Sequence, residues 1–403
     1  MMPRALTLLL SAASALVPAT HTRKQATRLD ATLTVYSTLG CPHCQRAKKA
    51  LDAAGLAYDV VDVADAAARE ALEARSGLPT VPQVYLDEER VGGADDTLAA
   101  LADGWLLERD VERAAPKRVE TAETVAVFID APPGGPLNAP VDGRAVAPMD
   151  GDVAALLQRS ALELIDAHVT LDGRVDYAAL KTSMKFQNFL DLARQLPDID
   201  GASVGDAFWI NLYNAMVLHA TVVLGPPKDE PAARTAFFSG DSDATYAVAG
   251  HVLSLDDVEH ALLRRSPAGD ARSFSVSDPR RQTFAPALAR KFDSRIHFAL
   301  NCGASSCPPV KLFRDESLDG DLAAAARAFV GSEVSVSGRT VTASKLFLWY
   351  GGDFGEDVVR SIATLGGGTP SGDAVARLLE DGGDAELVFA DYDWSPNDAS
   401  SSV

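Results

Sequence analysis

At residues 36–51, "YSTLGCPHCQRAKKAL", an apolar strand-like run gives way to a helical period through Cys41-Pro42-His43-Cys44. A strand that ends where a helix begins places Cys41 at the helix N-terminus. There, unpaired backbone N–H groups and the helix dipole favour a thiolate. Pro42 suits the first helical turn, because the N–H it lacks would have had no partner there. Cys44 falls three residues on, hence on the same helix face one turn below. The pair therefore fits thiol exchange, with Cys41 attacking and Cys44 resolving the mixed disulfide. A zinc half-site and an inert disulfide compete with this reading. Zinc needs four ligands, and the only other cysteines, Cys302 and Cys307, lie in a distant part of the chain. An inert disulfide does not explain why the pair closes a strand and opens a helix.

The surrounding pattern runs strand (33–37), helix (42–54), strand (57–63), helix (66–75), two short strands (83–86 and 90–91) and a helix from Asp95. This β-α-β-α-β-β-α order packs as one small sheet with helices on its faces, an α/β domain. Inside "TVPQVYL", Val81-Pro82 precedes a strand. Pro82 is thus a candidate cis proline that leaves the Val81 backbone groups free to pair with an extended, peptide-like ligand. Further on, Gly92-Gly93 ends a strand just before Asp95-Asp96. Backbone N–H groups there suit a carboxylate, and the acidic side chains suit an ammonium.

Taken together, Cys-Pro-x-Cys, Thr-Val-Pro and Gly-Gly-x-Asp-Asp at these spacings resemble the glutaredoxin family, over residues 32–108. The resemblance implies a thioredoxin-like fold that reduces disulfides and glutathione mixed disulfides, with glutathione as co-substrate and no bound metal. It implies Cys41 and Cys44 as the catalytic pair. It also implies a glutathione clamp of Thr80, Val81 and Pro82, and Gly93, Asp95 and Asp96 around the γ-glutamyl end. Two positions depart from the pattern. Family members commonly carry a lysine where Thr38 stands and a tyrosine where His43 stands, so a cation expected beside the glycyl carboxylate is missing. His43 supplies charge there only when protonated. A protein dithiol therefore stays open as an alternative electron donor.

The chain has 403 residues, enough for two or three domains. Its formal charge of -19 argues against a nucleic-acid partner, since the basic residues are scattered among acids rather than clustered on a face. Residues 1–30 read as a targeting presequence: a basic Arg4, an apolar core and small residues in an A-x-A arrangement. "SAASALVPATHTRKQATR" also resembles the bipartite presequences of algae with secondary plastids, so the expected destination is such a plastid or the secretory pathway. No membrane span is expected in the mature chain. Residues 31–112 form the first domain. Residues 113–150 are a Pro/Gly-rich linker that includes an unassigned strand-like run at 125–130, residues 151–397 a second domain, and 398–403 a tail.

The second domain reads as mixed α+β. An apolar helix, "FWINLYNAMVLH", carries Asn211, Asn214 and His219. A helix with a capping-box start at Ser254 and Asp257 carries Glu259-His260, and a β-rich stretch opened by His297 leads to "NCGASSCPP". These blocks, with a closing Asp-Tyr-Asp-Trp, resemble the family called domain of unknown function 547, over residues 152–397. His219, His260, His297, Cys302 and Cys307 form a candidate second site open to several readings. They suit a cysteine-dependent hydrolase or acyltransferase with the first domain as its redox guard. His219, His260 and the cysteines suit zinc. Cys302 and Cys307 suit a reversible disulfide that the first domain would reduce within the chain, beside other disulfide-containing protein substrates. The plainest reading is that the amides and His219 tie the core together. A protein-binding scaffold is a further option for this part of the chain.

Overall fold

The computed structural model describes residues 31–38, 41–63, 66–107, 109, 135–140, 152–170, 172–228, 230–267, 270, 272–382 and 385–399. The expected presequence, the strand-like run at 125–130 and most of the expected linker lie outside the described residues.

The first domain is built from β1 (Leu33–Ser37), α1 (Pro42–Ala53), β2 (Asp59–Asp62), α2 (Ala66–Ser76), β3 (Gln83–Leu86), β4 (Glu89–Gly92) and α3 (Ala94–Ala102). The strands lie in the order β2-β1-β3-β4. β1 is parallel to β2 and antiparallel to β3, and β3 is antiparallel to β4. Side chains alternate across β3, so Val84 and Leu86 meet Leu33, Val35 and Leu51 on one face while Tyr85 meets Val63 and Leu72 on the other. All four residues of β2 are exposed. With Asp59 and Asp62 at its ends, this edge strand discourages pairing with another chain. The result is a thioredoxin-like fold in which the end of β1 delivers Cys41 to the start of α1.

The second domain runs through α4 (Val153–His168), α5 (Tyr177–Lys181), α6 (Met184–Ala193), α7 (Asp206–Leu224), α8 (Pro231–Phe238), β5 (Thr245–Val248) and β6 (His251–Ser254). A π-helix (Asp257–Leu263) follows, then α9 (Arg280–Thr283) and α10 (Ala285–Leu288). α11 (Leu318–Glu333), β7 (Ser335–Ser337), β8 (Thr340–Ala343), α12 (Leu346–Trp349), α13 (Val358–Leu365), α14 (Pro370–Glu380) and β9 (Glu386–Phe389) complete it. α7 is long and apolar enough to cross a membrane, yet 83% of its apolar window is buried inside the fold. Every residue from Ala207 to Thr221 is covered. A helix that is apolar all round and enclosed by its own domain is a core helix.

The stretch from His297 to the cysteines is not β-rich as expected. Ser294–Phe298 is a turn of 3-10 helix, and an irregular loop follows. Its backbone groups find amides instead of a neighbouring strand: Asn214 Nδ2 donates to Ala299 O at 2.9 Å, and Asn301 N donates to Asn214 Oδ1 at 2.9 Å. Asn211 makes the matching pair with Phe313 further along. The C-terminal segment closes the loop from the other side, with Ser305 N on Ser395 O, Ser306 N on Asp393 O and Asn397 N on Gly303 O. Residues 135–140 also dock on this domain, where Asn138 exchanges hydrogen bonds with Ala247 and donates to Ala193 O. One ion pair, Lys48 Nζ to Asp166 Oδ2 at 2.9 Å, joins α1 to α4 across the two domains.

Candidate functional sites

Cys41 is the N-cap of α1. Its sulfur accepts a hydrogen bond from Cys44 N at 3.2 Å and lies 3.9 Å from Val81 O. The Cys44 sulfhydryl, the Cys44 N–H and the charge of His43 together outweigh partial burial and bring the Cys41 thiol down to about 6. Cys44 is buried. Its hydrogen bond to Cys41, then burial, push its own ionisation up, so the pair holds one thiolate and one thiol.

The expected clamp lies alongside. Thr80 is exposed and Val81 half-buried, and the Val81–Pro82 peptide is cis. At the same end of the β3–β4 hairpin, beside Pro82, the Asp96 carboxylate accepts from Gly93 N at 2.8 Å and caps α3. Asp95 is exposed and pairs with Arg46. Gly92 is required here: its φ is 138°, and a Cβ would stand 2.3 Å from that of Asp96.

The second domain brings together four of the five candidate residues. His260, His297, Cys302 and Cys307 line one cavity of about 210 Å³ with Glu259, Tyr350 and Tyr392. His219 is not among them. It is buried in the core, bonded through Nδ1 to Tyr246 OH at 2.8 Å and set edge-on against Phe186. Burial brings its ionisation down to about 3, so it is neutral. The zinc set that includes His219 is therefore not assembled. Among the described residues, no three His, Cys, Asp or Glu side chains converge as metal ligands.

Cys302 and Cys307 are not joined in a disulfide, and their sulfurs lie 2.6 Å apart, in direct contact. Cys307 Sγ also accepts from Cys302 N at 3.1 Å and from Tyr392 OH at 3.2 Å. Burial raises the Cys307 thiol, but its contacts with Cys302, with Tyr392 and with backbone N–H groups bring it down to about 7. Cys302 is raised by its bond to Cys307 and by burial. Tyr392 is held by Trp349 and Trp394, its ring centroid 4.8 and 4.5 Å from theirs.

The histidines face other partners. His297 Nε2 lies 2.8 Å from Asp353 Oδ2, which also takes Arg264 Nε, while its ring stacks on Tyr350 at 3.9 Å. Tyr350 OH in turn donates to Glu259 Oε1 at 2.7 Å. Burial raises Glu259, but His260 beside it and the Tyr350 hydroxyl hold it below the usual carboxylate value. His260 Nε2 lies 3.7 Å from Asp256 and 3.8 Å from Glu259. Among the described residues, no imidazole is hydrogen-bonded to either sulfur, and a thiol hydrolase needs that contact between nucleophile and base. Tyr392 and Glu259 line the cavity although sequence reasoning assigned them no role, and Asp353 supports it through His297. Glu259 and Tyr392 stand in blocks noted above, but nothing local marked the side chain that faces the cavity.

A thiolate at a helix N-terminus, a resolving thiol one turn on, and a peptide-sized edge before a proline define a thiol-disulfide oxidoreductase of the thioredoxin-like class. Comparison with known proteins narrows the class. The family model described as Glutaredoxin matches residues 33–91, and that described as "Protein of unknown function, DUF547" matches residues 205–330. Glutaredoxin 3 of Escherichia coli (strain K12) is 39% identical over 77 residues, 19% of this chain and 93% of that protein. Glutaredoxin-C6 of Oryza sativa subsp. japonica is 32% identical over 89 residues, 21% of this chain and 80% of that protein. Among solved structures, a buckwheat glutaredoxin-glutathione complex is 31% identical and spans 19% of this chain and 74% of its own, with a TM-score of 0.18. Through its first domain, the chain belongs to the glutaredoxin family.

Proposed function

We propose that the chain is a glutathione-dependent disulfide reductase whose Cys41/Cys44 pair reduces protein and mixed disulfides, and that a disulfide between Cys302 and Cys307 is one of its targets. The observation that carries this reading is the Cys41 sulfur, lowered to about 6 by the Cys44 hydrogen bonds, beside the open edge at Thr80 and Val81. In this reading glutathione pairs along residues 80–82, with its γ-glutamyl end near Gly93, Asp95 and Asp96. The contact of Cys302 with Cys307 supports the internal target. So does the tether: 25 residues lie between Arg109 and Gly135, a reach of at most ~90 Å. A tether of that length gives an effective concentration up to the millimolar range. We also propose that residues 1–30 address the chain to a plastid or the secretory pathway, which imaging of a fluorescent fusion with and without them tests.

Glutathione-dependent reduction of a small mixed disulfide tests the main reading. Cys41→Ser is expected to abolish turnover and Cys302→Ser to leave it intact; turnover that survives Cys41→Ser overturns the reading. The internal target is tested with full-length chains. Oxidised Cys302/Cys307 in wild type is expected to be reduced at a rate independent of chain concentration. The same disulfide in a Cys41→Ser chain, reduced by added Cys302→Ser/Cys307→Ser chains, is expected to follow concentration. Equal, concentration-dependent rates would remove the internal target and leave the reductase.

A further inference from the structure

We propose that Cys302 and Cys307 form a second dithiol exchange centre with its own substrate cavity, in which Cys307 attacks and Cys302 resolves, and that its substrate is a small disulfide bearing amino-acid carboxylate and ammonium groups. The centre stands independently of the function proposed above, and only its re-reduction by Cys41/Cys44 rests on that reading.

The first observation is a donor pattern shared by two unrelated pieces of structure. In α1, the Cys41 sulfur accepts the backbone N–H of its partner cysteine at 3.2 Å. In the loop, the Cys307 sulfur accepts the backbone N–H of its partner cysteine at 3.1 Å. Each pair thus has one sulfur stabilised as an anion and one held as a thiol, the asymmetry that a nucleophile and a resolving group require. Tyr392 OH adds a further donor to Cys307 at 3.2 Å. The lowered Cys307 and raised Cys302 agree with these contacts.

The second observation is the cavity into which both sulfurs open. Its volume of about 210 Å³ is below the ~300–1,000 Å³ of sites for drug-sized ligands, so it suits a molecule of amino-acid to dipeptide size. Its wall carries both signs of charge, with Arg234 and Arg272 against Asp256 and Glu259, and Trp349 supplies an apolar face. That combination complements a zwitterion with an apolar stem. His260 also lines the cavity, and its Nδ1 is buried without a hydrogen-bond partner.

The chemistry balances without another reagent in the oxidising half. The Cys307 thiolate attacks one sulfur of the disulfide, forms a mixed disulfide and expels the other half as a thiolate, which takes up a proton. Cys302 then gives up its proton and attacks the Cys307 sulfur, forming the Cys302–Cys307 disulfide and releasing the second half as a thiol. Two electrons pass from the protein dithiol to the substrate. The Cys41/Cys44 dithiol returns them by the same exchange.

The test uses the full-length chain with Cys41→Ser and Cys44→Ser, fully reduced and freed of reductant, mixed with cystine. The expected products are two cysteines per chain and a Cys302–Cys307 disulfide in the peptide map. Adding Cys302→Ser should stop the reaction at one cysteine, with a cysteinyl adduct on Cys307. Adding Cys307→Ser should slow cysteine release by about tenfold or more, each cysteine released being matched by a cysteinyl adduct on Cys302. The parent rate should saturate with cystine, and Arg272→Ala should raise the half-saturating concentration severalfold at unchanged limiting rate. Cysteine release by the Cys307→Ser chain as fast as by the parent, with its adduct on Cys302, would overturn the assignment of roles. A parent rate linear in cystine and indifferent to Arg272→Ala would overturn the cavity as the binding site. Because Cys41 and Cys44 are absent throughout, failure here is distinct from failure of the glutaredoxin-type activity.

Discussion

The lowered ionisation of Cys41 makes a quantitative demand on its reactivity. A thiol brought from 9.0 to about 6 is roughly nine-tenths thiolate at pH 7, against about one-hundredth at the ordinary value. Thiolate fraction alone would raise its reactivity ~90-fold, but a less basic thiolate is a weaker nucleophile. A Brønsted slope of about 0.4–0.5 over three units takes back roughly 15–30-fold. The net expectation for alkylation by iodoacetamide is therefore only about 3–6-fold over an ordinary thiol at pH 7, rising to about 30–60-fold at pH 5. Above about pH 7.5–8 the ordinary thiol overtakes it. The pH profile thus carries the signature, and a single rate at neutral pH does not. Cys44→Ala removes the sulfhydryl that is the largest cause of the shift, while the N–H at that position remains. The midpoint of the profile should then move upward, and the loss should be greatest in acid. The measurement is the alkylation rate of the Cys41 peptide by mass spectrometry between pH 4.5 and 9.5, about 1.5 units below the expected midpoint and about 3.5 above it. A wild-type midpoint at about pH 8 or higher, or a Cys44→Ala midpoint unchanged from wild type, would refute the argument.

Three further outcomes are expected. Asn214→Ala leaves Ala299 O and Asn301 N–H buried without their partner, so it should cost about 1–3 kcal/mol for each group in urea unfolding and speed amide exchange at Asn301. Asp353→Ala leaves the part-buried Arg264 guanidinium and His297 without their shared carboxylate, which should cost about 1–3 kcal/mol by the same assay. His219 has a folded-state value of about 3 against an ordinary 6.5, so the stability it contributes is complete above pH 6.5 and is lost as pH falls toward 3. At pH 5 the loss should be about 2 kcal/mol relative to pH 7. Asp256, raised to about 6 by burial and then by Glu259, acts in the opposite sense over part of that window. The test is therefore the difference between wild type and His219→Gln, and parallel stability curves from pH 5 to 7 would show that His219 does not carry this effect.

The first domain was legible because its chemistry is local. A helix N-terminus, its cysteine and the resolving thiol fall within one short window, and the alternation of β1 and β3 needs only neighbouring strands. The second domain resisted because its contacts are long-range. The apolar residues of "RIHFAL" satisfy a strand pattern, yet their loop is held by amides of α7 and by the C-terminal segment, which no periodicity reveals. His219 and His260 are the same residue type on apolar helices; only the packing around them puts one in the core and the other on the cavity. The capping box at Ser254 and Asp257 was readable and is present, whereas the π-helix it opens was not. A π-turn depends on what the helix packs against, not on the residues that start it.

Those long-range contacts give two sequence blocks a shared purpose. Asn214 in the apolar helix and Asn397 near the C-terminus both bond the cysteine loop, and Asn397 is itself fixed by Tyr177 OH at 2.8 Å. Tyr392, from the same C-terminal segment, reaches the Cys307 sulfur. A helix N-terminus supplies N–H donors to Cys41 by virtue of its own regular geometry. A loop has no such geometry, so holding Cys302 N–H and Tyr392 OH on Cys307 requires outside fastening, and α7 and the C-terminal segment provide it. Three buried amides in an otherwise apolar core, Asn214, Asn301 and Asn397, thereby share one task, the placement of a single sulfur. Asn214→Ala consequently bears on chemistry as well as stability: loosening the loop withdraws donors from Cys307, and its ionisation should rise toward that of an ordinary thiol while Cys41 stays unchanged.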